Sequence, residues 1–194
     1  MAVDVPEIDP VSGFPEPSAH APRHFTIRFL GEVDDPTVGA IDGALREAAA
    51  GLESFRLTLS GIGAFPDWKR PRIVYVAAAV GRAQLVEVAG TVDRALATIG
   101  IPRDPRPFVP HVTLRRIRTA SEARAAQRAS DAAGDRAIAD MRVGELLLKA
   151  SELAPTGAIH RVLGRYPLGP HRDPRSGRPA ATGTGGSVEQ PAPP

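Results

Sequence analysis

At 194 residues the chain can build one domain or two small fused lobes. It has no cysteine, which excludes disulfides and Cys-based zinc sites and fits a reducing compartment. The net charge is only +2, no apolar run is long enough to span a bilayer, and no basic-then-apolar leader opens the chain, so a cytoplasmic, soluble protein is expected. Lysine occurs only at Lys69 and Lys149, so 22 of the 24 basic residues are arginines. Arginine suits bidentate phosphate recognition, but a GC-rich genome enriches Arg together with Ala, Gly and Pro, so the excess is a slight pointer.

Residues 1–22 carry five prolines and no sustained periodicity, as a loop-like arm would. Residues 23–31, Arg-His-Phe-Thr-Ile-Arg-Phe-Leu-Gly, read as a strand ended by Gly31. Period two puts His24, Thr26 and Arg28 on one face, with Phe25, Ile27 and Phe29 on a core face. Asp34-Asp35-Pro36 is a helix start, followed by Val38, Ile41, Leu45, Ala48 and Leu52 at helical spacing. Residues 55–60 alternate as a strand, 61–70 read as a loop holding Phe65 and Trp68, and 72–80 read as a buried strand. A helix is expected over 84–100, stopped by Gly100. A Pro- and Arg-rich loop leads to a second strand, in which His111, Thr113 and Arg115 share one face and Val112 and Leu114 the other. An Ala-rich helix is expected over 121–133, then strands over 141–153 and 158–166 joined at Pro155-Thr156-Gly157. After residue 168, Pro, Gly, Ser and Thr dominate and predict a disordered tail over 169–194.

These elements form a cryptic repeat. The second unit is strand 72–80, helix 84–100, the His111 strand, helix 121–133 and strand 142–150. The first unit matches from the His24 strand through helix 36–51 to strand 55–60. Its leading strand and helix are expected to be missing, because only 23 Pro-rich residues precede His24.

A lone His-x-Thr carries almost no information. Two copies at matching places in a repeat carry much more, because pseudo-twofold symmetry brings two imidazoles and two hydroxyls to one cleft. Imidazole ordinarily titrates at about 6.5, so one ring can take a proton and the other give one near neutral pH. That suits displacement at a phosphodiester, with hydroxyls and arginine offsetting charge on the phosphoryl oxygens.

The sequences from His24 to Val33 and from Pro107 to Arg116 resemble the paired HxTx motifs of the 2H phosphoesterase superfamily. Within it the chain is most similar to the RNA 2′,3′-cyclic phosphodiesterases, also called 2′-5′ RNA ligases. Residues 151–157 and 162–168 resemble that family's C-terminal strand pair. The resemblance covers about residues 22–168 and implies a domain over 23–168. The implied fold is bilobal α+β: two antiparallel sheets with flanking helices around a central cleft. It also implies metal-independent hydrolysis of cyclic phosphate ends to 2′-phosphate, with no cofactor, by a monomer acting on RNA or an oligonucleotide. His24 matches the family's proton donor and His111 its proton acceptor. Thr26 and Thr113 match the phosphate-holding threonines. Arg116 matches a substrate-binding arginine, whereas period two puts Arg115 on the site face; the two agree only if the strand ends or bulges there. His160 stands where the family often has an aromatic residue.

Other readings use the same residues. A metal site would draw on His20, His24, His111, His160 and His171, but no HxxxH pair or carboxylate cluster accompanies them. A non-catalytic RNA-binding module would use the Arg-rich loops 68–72 and 103–106 with Phe65, Trp68 and Phe108, although these aromatics serve equally as core or rim packing. A 2H enzyme acting on a small cyclic nucleotide-like substrate, or in 2′-5′ ligation, would keep the site and change the substrate.

Overall fold

The computed structural model describes residues 2–4, 24–154 and 157–170. In chain order these form β1 (Ala2–Asp4), β2 (Thr26–Phe29), α1 (Asp35–Ala50), β3 (Phe55–Phe65), β4 (Ile73–Val80) and α2 (Arg82–Thr98). They continue with β5 (His111–Arg116), α3 (Ala120–Ala133), β6 (Ala137–Val143), β7 (Glu145–Ala154) and β8 (Gly157–Pro167). The helices begin where local chemistry requires. Asp34 caps α1 by accepting from the Thr37 amide at 3.1 Å, with Pro36 in the first turn. Thr119 and Glu122 form a reciprocal capping box at α3. Ile41 and Leu45 of α1 and Leu85, Val92 and Leu96 of α2 are buried at helical spacing. In α3 Ala126 alone is buried, so this helix lies at the periphery.

The strands make two four-stranded antiparallel sheets, ordered β2-β1-β7-β8 and β5-β4-β3-β6. The expected bilobal α+β fold is therefore present, and each His-x-Thr strand is an edge strand of its own sheet. The repeat is visible in the pairing. β1 pairs with β2 as β4 pairs with β5, and β7 joins β1 as β3 joins β4. Each unit thus lends its last strand to the other unit's sheet.

This topology corrects the expectation of a missing leading strand: Ala2–Asp4 supplies it, inserted between β2 and β7. Three residues show no readable period, and only the two flanking partners make them a strand. The expected absence of a leading helix concerns residues 5–23, which lie outside the described residues, as do most of the expected Pro-rich arm and the tail from residue 171. The tail boundary also moves. The Gly169 amide donates to the Leu52 carbonyl and the Gly169 carbonyl accepts from Ser54, both at 2.8 Å. The expected loop 61–70 begins instead as strand through Phe65, and the expected strand over 141–153 is two strands divided at Gly144. Gly61 and Gly63 disguise the β3 extension. Gly63 is needed there because a Cβ would collide with the Tyr75 ring on the neighbouring strand.

The core runs without a break between the lobes. Phe25 and Ile27 of the first lobe and Val74, Val76, Val112 and Leu114 of the second are buried in one cluster with α1 and α2. Tyr166 of β8, 1 % exposed, donates its hydroxyl to Asp42 of α1 at 2.8 Å. Burial first, then this bond, pushes the phenol above its ordinary range, and the bond with help from Arg46 holds the Asp42 carboxyl below its own. Tyr166→Phe is expected to cost about 1 kcal/mol at pH 7. Because the carboxyl is depressed, that difference should shrink as acid protonates Asp42, a trend that urea unfolding at several pH values would check.

Candidate active site

The first motif does not keep simple alternation. In the β1–β2 pairing, Asp4 faces Thr26, Val3 faces Arg28 and Ala2 faces Phe29, so Ile27 is an inserted residue. This β-bulge turns the rest of the strand over. Phe25 and Ile27 remain in the core. Arg28 is carried to the helix side, where Nε meets Asp93 of α2 at 3.0 Å and Nη1 meets Asp104 at 3.0 Å. Its Nη2 also donates to the Pro102 carbonyl at 2.6 Å. Phe29, expected in the core, is returned to the side of His24 and Thr26 and is 69 % exposed.

The second motif has the same bulge at the equivalent place. Ala77, Tyr75, Val74 and Ile73 of β4 face His111, Thr113, Arg115 and Arg116, leaving Leu114 inserted. His111 and Thr113 share a side, and Arg116, opposite Ile73, rejoins them. Arg115 is turned toward α3 and donates to Glu122 at 2.8 Å. The conflict between alternation and resemblance disappears here, because the strand bulges just before Arg115 and brings Arg116 to the side of His111. The equivalence extends further. Arg28 and Arg115 are the paired arginines held by helix carboxylates, and Phe29 and Arg116 are the paired residues on the histidine side.

The surroundings of the two imidazoles differ. The Nδ1 of His111 lies 2.7 Å from the Val109 carbonyl. A carbonyl only accepts, so Nδ1 carries the hydrogen and Nε2 of the neutral ring keeps a lone pair. The ring is walled edge-on by Phe65 at 5.0 Å and Tyr75 at 5.6 Å, and these two stack on each other at 4.3 Å. His24 instead meets the edge of His160 at 5.3 Å between ring centroids. The Nδ1 of His160 is 2.8 Å from the Ser151 hydroxyl, its cross-strand partner on β7. A third imidazole, that of His160, thus stands beside the first motif histidine.

Lobe and loop are tied together near the site. Asp104 sits in the loop that leads into β5, so its pairing with Arg28 joins β2 to the approach of the second motif. The Arg106 side chain, then the Arg106 amide, pull the Asp104 carboxyl down to about 2, with Arg28 adding attraction. Periodicity puts Phe65 in a loop and Tyr75 on an apolar strand, and reveals neither as a wall of His111. Tyr75 is the one polar-tipped residue in an apolar run, a signal too slight to separate from packing.

A family model described as the 2'-5' RNA ligase superfamily matches residues 3–150. An RNA 2',3'-cyclic phosphodiesterase of Aeropyrum pernix is 36 % identical over 140 residues, which is 72 % of this chain and 78 % of that protein. One of Aquifex aeolicus is 32 % identical over 152 residues, 75 % of this chain and 78 % of its own. Among solved structures, TT0787 of Thermus thermophilus superposes with a TM-score of 0.67 at 23 % identity, covering 88 % of this chain and 98 % of that one. E. coli LigT complexed with 3'-AMP gives 0.62 at 23 % identity, covering 86 % and 96 %. The two bulged His-x-Thr edge strands, the doubled sheet and these likenesses agree: the chain is an enzyme that belongs to the 2'-5' RNA ligase superfamily, the 2H phosphoesterases.

Proposed function

We propose that this enzyme hydrolyses RNA 2′,3′-cyclic phosphate ends to 2′-phosphates, with His111 as general base and His24 as general acid. The observation that carries the base role is the 2.7 Å contact from His111 Nδ1 to the Val109 carbonyl, which leaves Nε2 as the acceptor. His111 takes a proton from water as the water oxygen attacks phosphorus. His24 gives its proton to the departing 3′ oxygen, so the phosphate remains on the 2′ oxygen. Thr26 and Thr113 donate to the non-bridging oxygens, and Arg116 offsets their charge. Phe29, exposed on the side of His24, offers its ring to the terminal base. The names of the relatives, RNA 2',3'-cyclic phosphodiesterases, support the substrate class. The test is incubation of the purified protein with an RNA bearing a cyclic phosphate end, in the presence of a chelator, with identification of the product. Turnover abolished by the chelator, or an exclusive 3′-phosphate product, would overturn it.

Thr26→Val or Thr113→Val is expected to lower turnover roughly 10²-fold, one donor among several, and to remain more active than loss of either histidine. A folded threonine variant as inactive as His111→Ala would contradict the assignment. The bulge predicts a contrast between neighbouring arginines. Arg116→Met should lower kcat/KM by at least about tenfold, the loss of one charge-assisted contact. Arg115→Met should leave turnover near wild type and cost at most about 1 kcal/mol, the worth of an exposed ion pair. Steady-state kinetics and denaturation on the two variants compare them directly.

A further inference from the structure

We propose that a basic pocket beside the second motif holds the RNA strand on the 5′ side of the reacting end, so that the enzyme prefers an oligonucleotide to a mononucleotide. This rests on the reading of the enzyme as acting on RNA ends. The pocket, about 450 Å³, opens between the 66–71 loop and the start of α3. That volume is within the range of small-ligand sites. Lys69, Arg118 and Arg124 line it, and no carboxylate does. Among the described residues none of these three side chains makes an ion pair. They contrast with Arg28, Arg56, Arg106, Arg115 and Arg165, each held by an acidic partner.

Position supports the strand rather than an unrelated anion. The pocket begins at Ile117, the residue after Arg116, and Ile117 is anchored by its amide to the Arg72 carbonyl at 2.9 Å. Arg118 lies two residues past Arg116, roughly 6–7 Å along extended chain. A strand whose terminal phosphate meets Arg116 can continue its backbone directly onto the three cations. Trp68 and Pro71 form the apolar wall, and a half-buried indole presents a surface on which a base can rest. The Asp67 carboxylate does not compete. It accepts from the amides of Lys69 at 2.8 Å and Arg70 at 3.0 Å, which shapes the loop that presents Lys69.

The experiment compares kcat/KM on a nucleoside 2′,3′-cyclic monophosphate and on a short oligoribonucleotide with the same cyclic end. The oligomer should be favoured at least tenfold at low salt. In the triple variant Lys69→Gln, Arg118→Gln, Arg124→Gln the preference should disappear while mononucleotide turnover stays within about twofold. The salt dependence for the oligomer should also flatten, by about 0.7 in the log–log slope for each phosphate no longer neutralised. Trp68, the only tryptophan, provides a readout independent of catalysis: its fluorescence should respond to a 3′-phosphorylated oligomer and not to a mononucleotide. Equal rates on both substrates in the wild type, or equal losses on both in the variant, would overturn the proposal. If neither substrate is turned over, the functional reading fails by itself. The fluorescence response and its loss in the triple variant then decide the pocket, a flat response rejecting it.

Discussion

His111→Ala should lower hydrolysis of an RNA 2′,3′-cyclic phosphate roughly 10⁴-fold, the upper end of what one general acid or base supplies, with the fold intact. The ring lies at the open edge of its sheet, so its loss leaves the buried residues Val112 and Leu114 in place. His24→Ala should have an effect of the same order. The pH dependence separates the two. The wild-type rate should fall in acid as the base takes a proton, and in alkali as the acid loses one. In the residual activity, His111→Ala should lack the acidic limb and His24→Ala the alkaline limb. A flat wild-type profile, with chemistry shown to be rate-limiting, would refute the roles while leaving the fold untouched. His160 complicates the His24 limb, because its ring touches that of His24 and its other side is held by Ser151. Repeating the profile in His160→Phe keeps an aromatic edge beside His24 and removes the second imidazole.

Arg28→Met should destabilise the protein by about 2–3 kcal/mol, below the cost of breaking a fully buried pair because its partners are partly exposed. The Arg28 side chain is 12 % exposed and joins Asp93, Asp104 and the Pro102 carbonyl. Removing it leaves two carboxylates without the cation they share and releases the loop that leads to His111. Turnover should therefore fall along with stability, unlike in Arg115→Met. The pH dependence has a definite sign. Asp104 is depressed to about 2, chiefly by Arg106. Its contribution is fully present above the ordinary carboxylate range and is lost as pH falls through about 4 toward 2. Wild type and Asp104→Asn should differ in denaturant midpoint at pH 7 and converge below pH 4. A gap that persists at low pH would mean the loop is held by something other than this carboxylate.

Much of the site is legible in the amino-acid sequence. The residue types of the two His-x-Thr strands, the buried alternation of Phe25, Ile27, Val112 and Leu114, and the caps at Asp34 and Thr119 are local properties of the chain. The structure bears out the helices to within two residues at each end. Misreadings arise where pairing, not composition, decides geometry. A period of two carried through Ile27 without interruption puts Phe29 and Arg28 on each other's sides. Arg115 and Arg116 pose the same question on the other strand, where resemblance and alternation disagree.

What the sequence determined by itself is the chemistry available and the repeat that pairs it: two imidazoles, two hydroxyls and following arginines at matching positions. Those facts need only side-chain type and spacing within one strand. The tertiary structure decided which arginine lies on the His111 side of its sheet, that Ala2–Asp4 is a strand, and that each unit gives its last strand to the other's sheet. All three depend on register between segments far apart in sequence, such as Val74 against Leu114–Arg115 or Val3 against Ile27–Arg28. An inserted residue exists only relative to a partner strand, and one insertion reverses every side chain beyond it. No property of Arg116 or Phe29 alone could therefore have told which side of the sheet it would occupy.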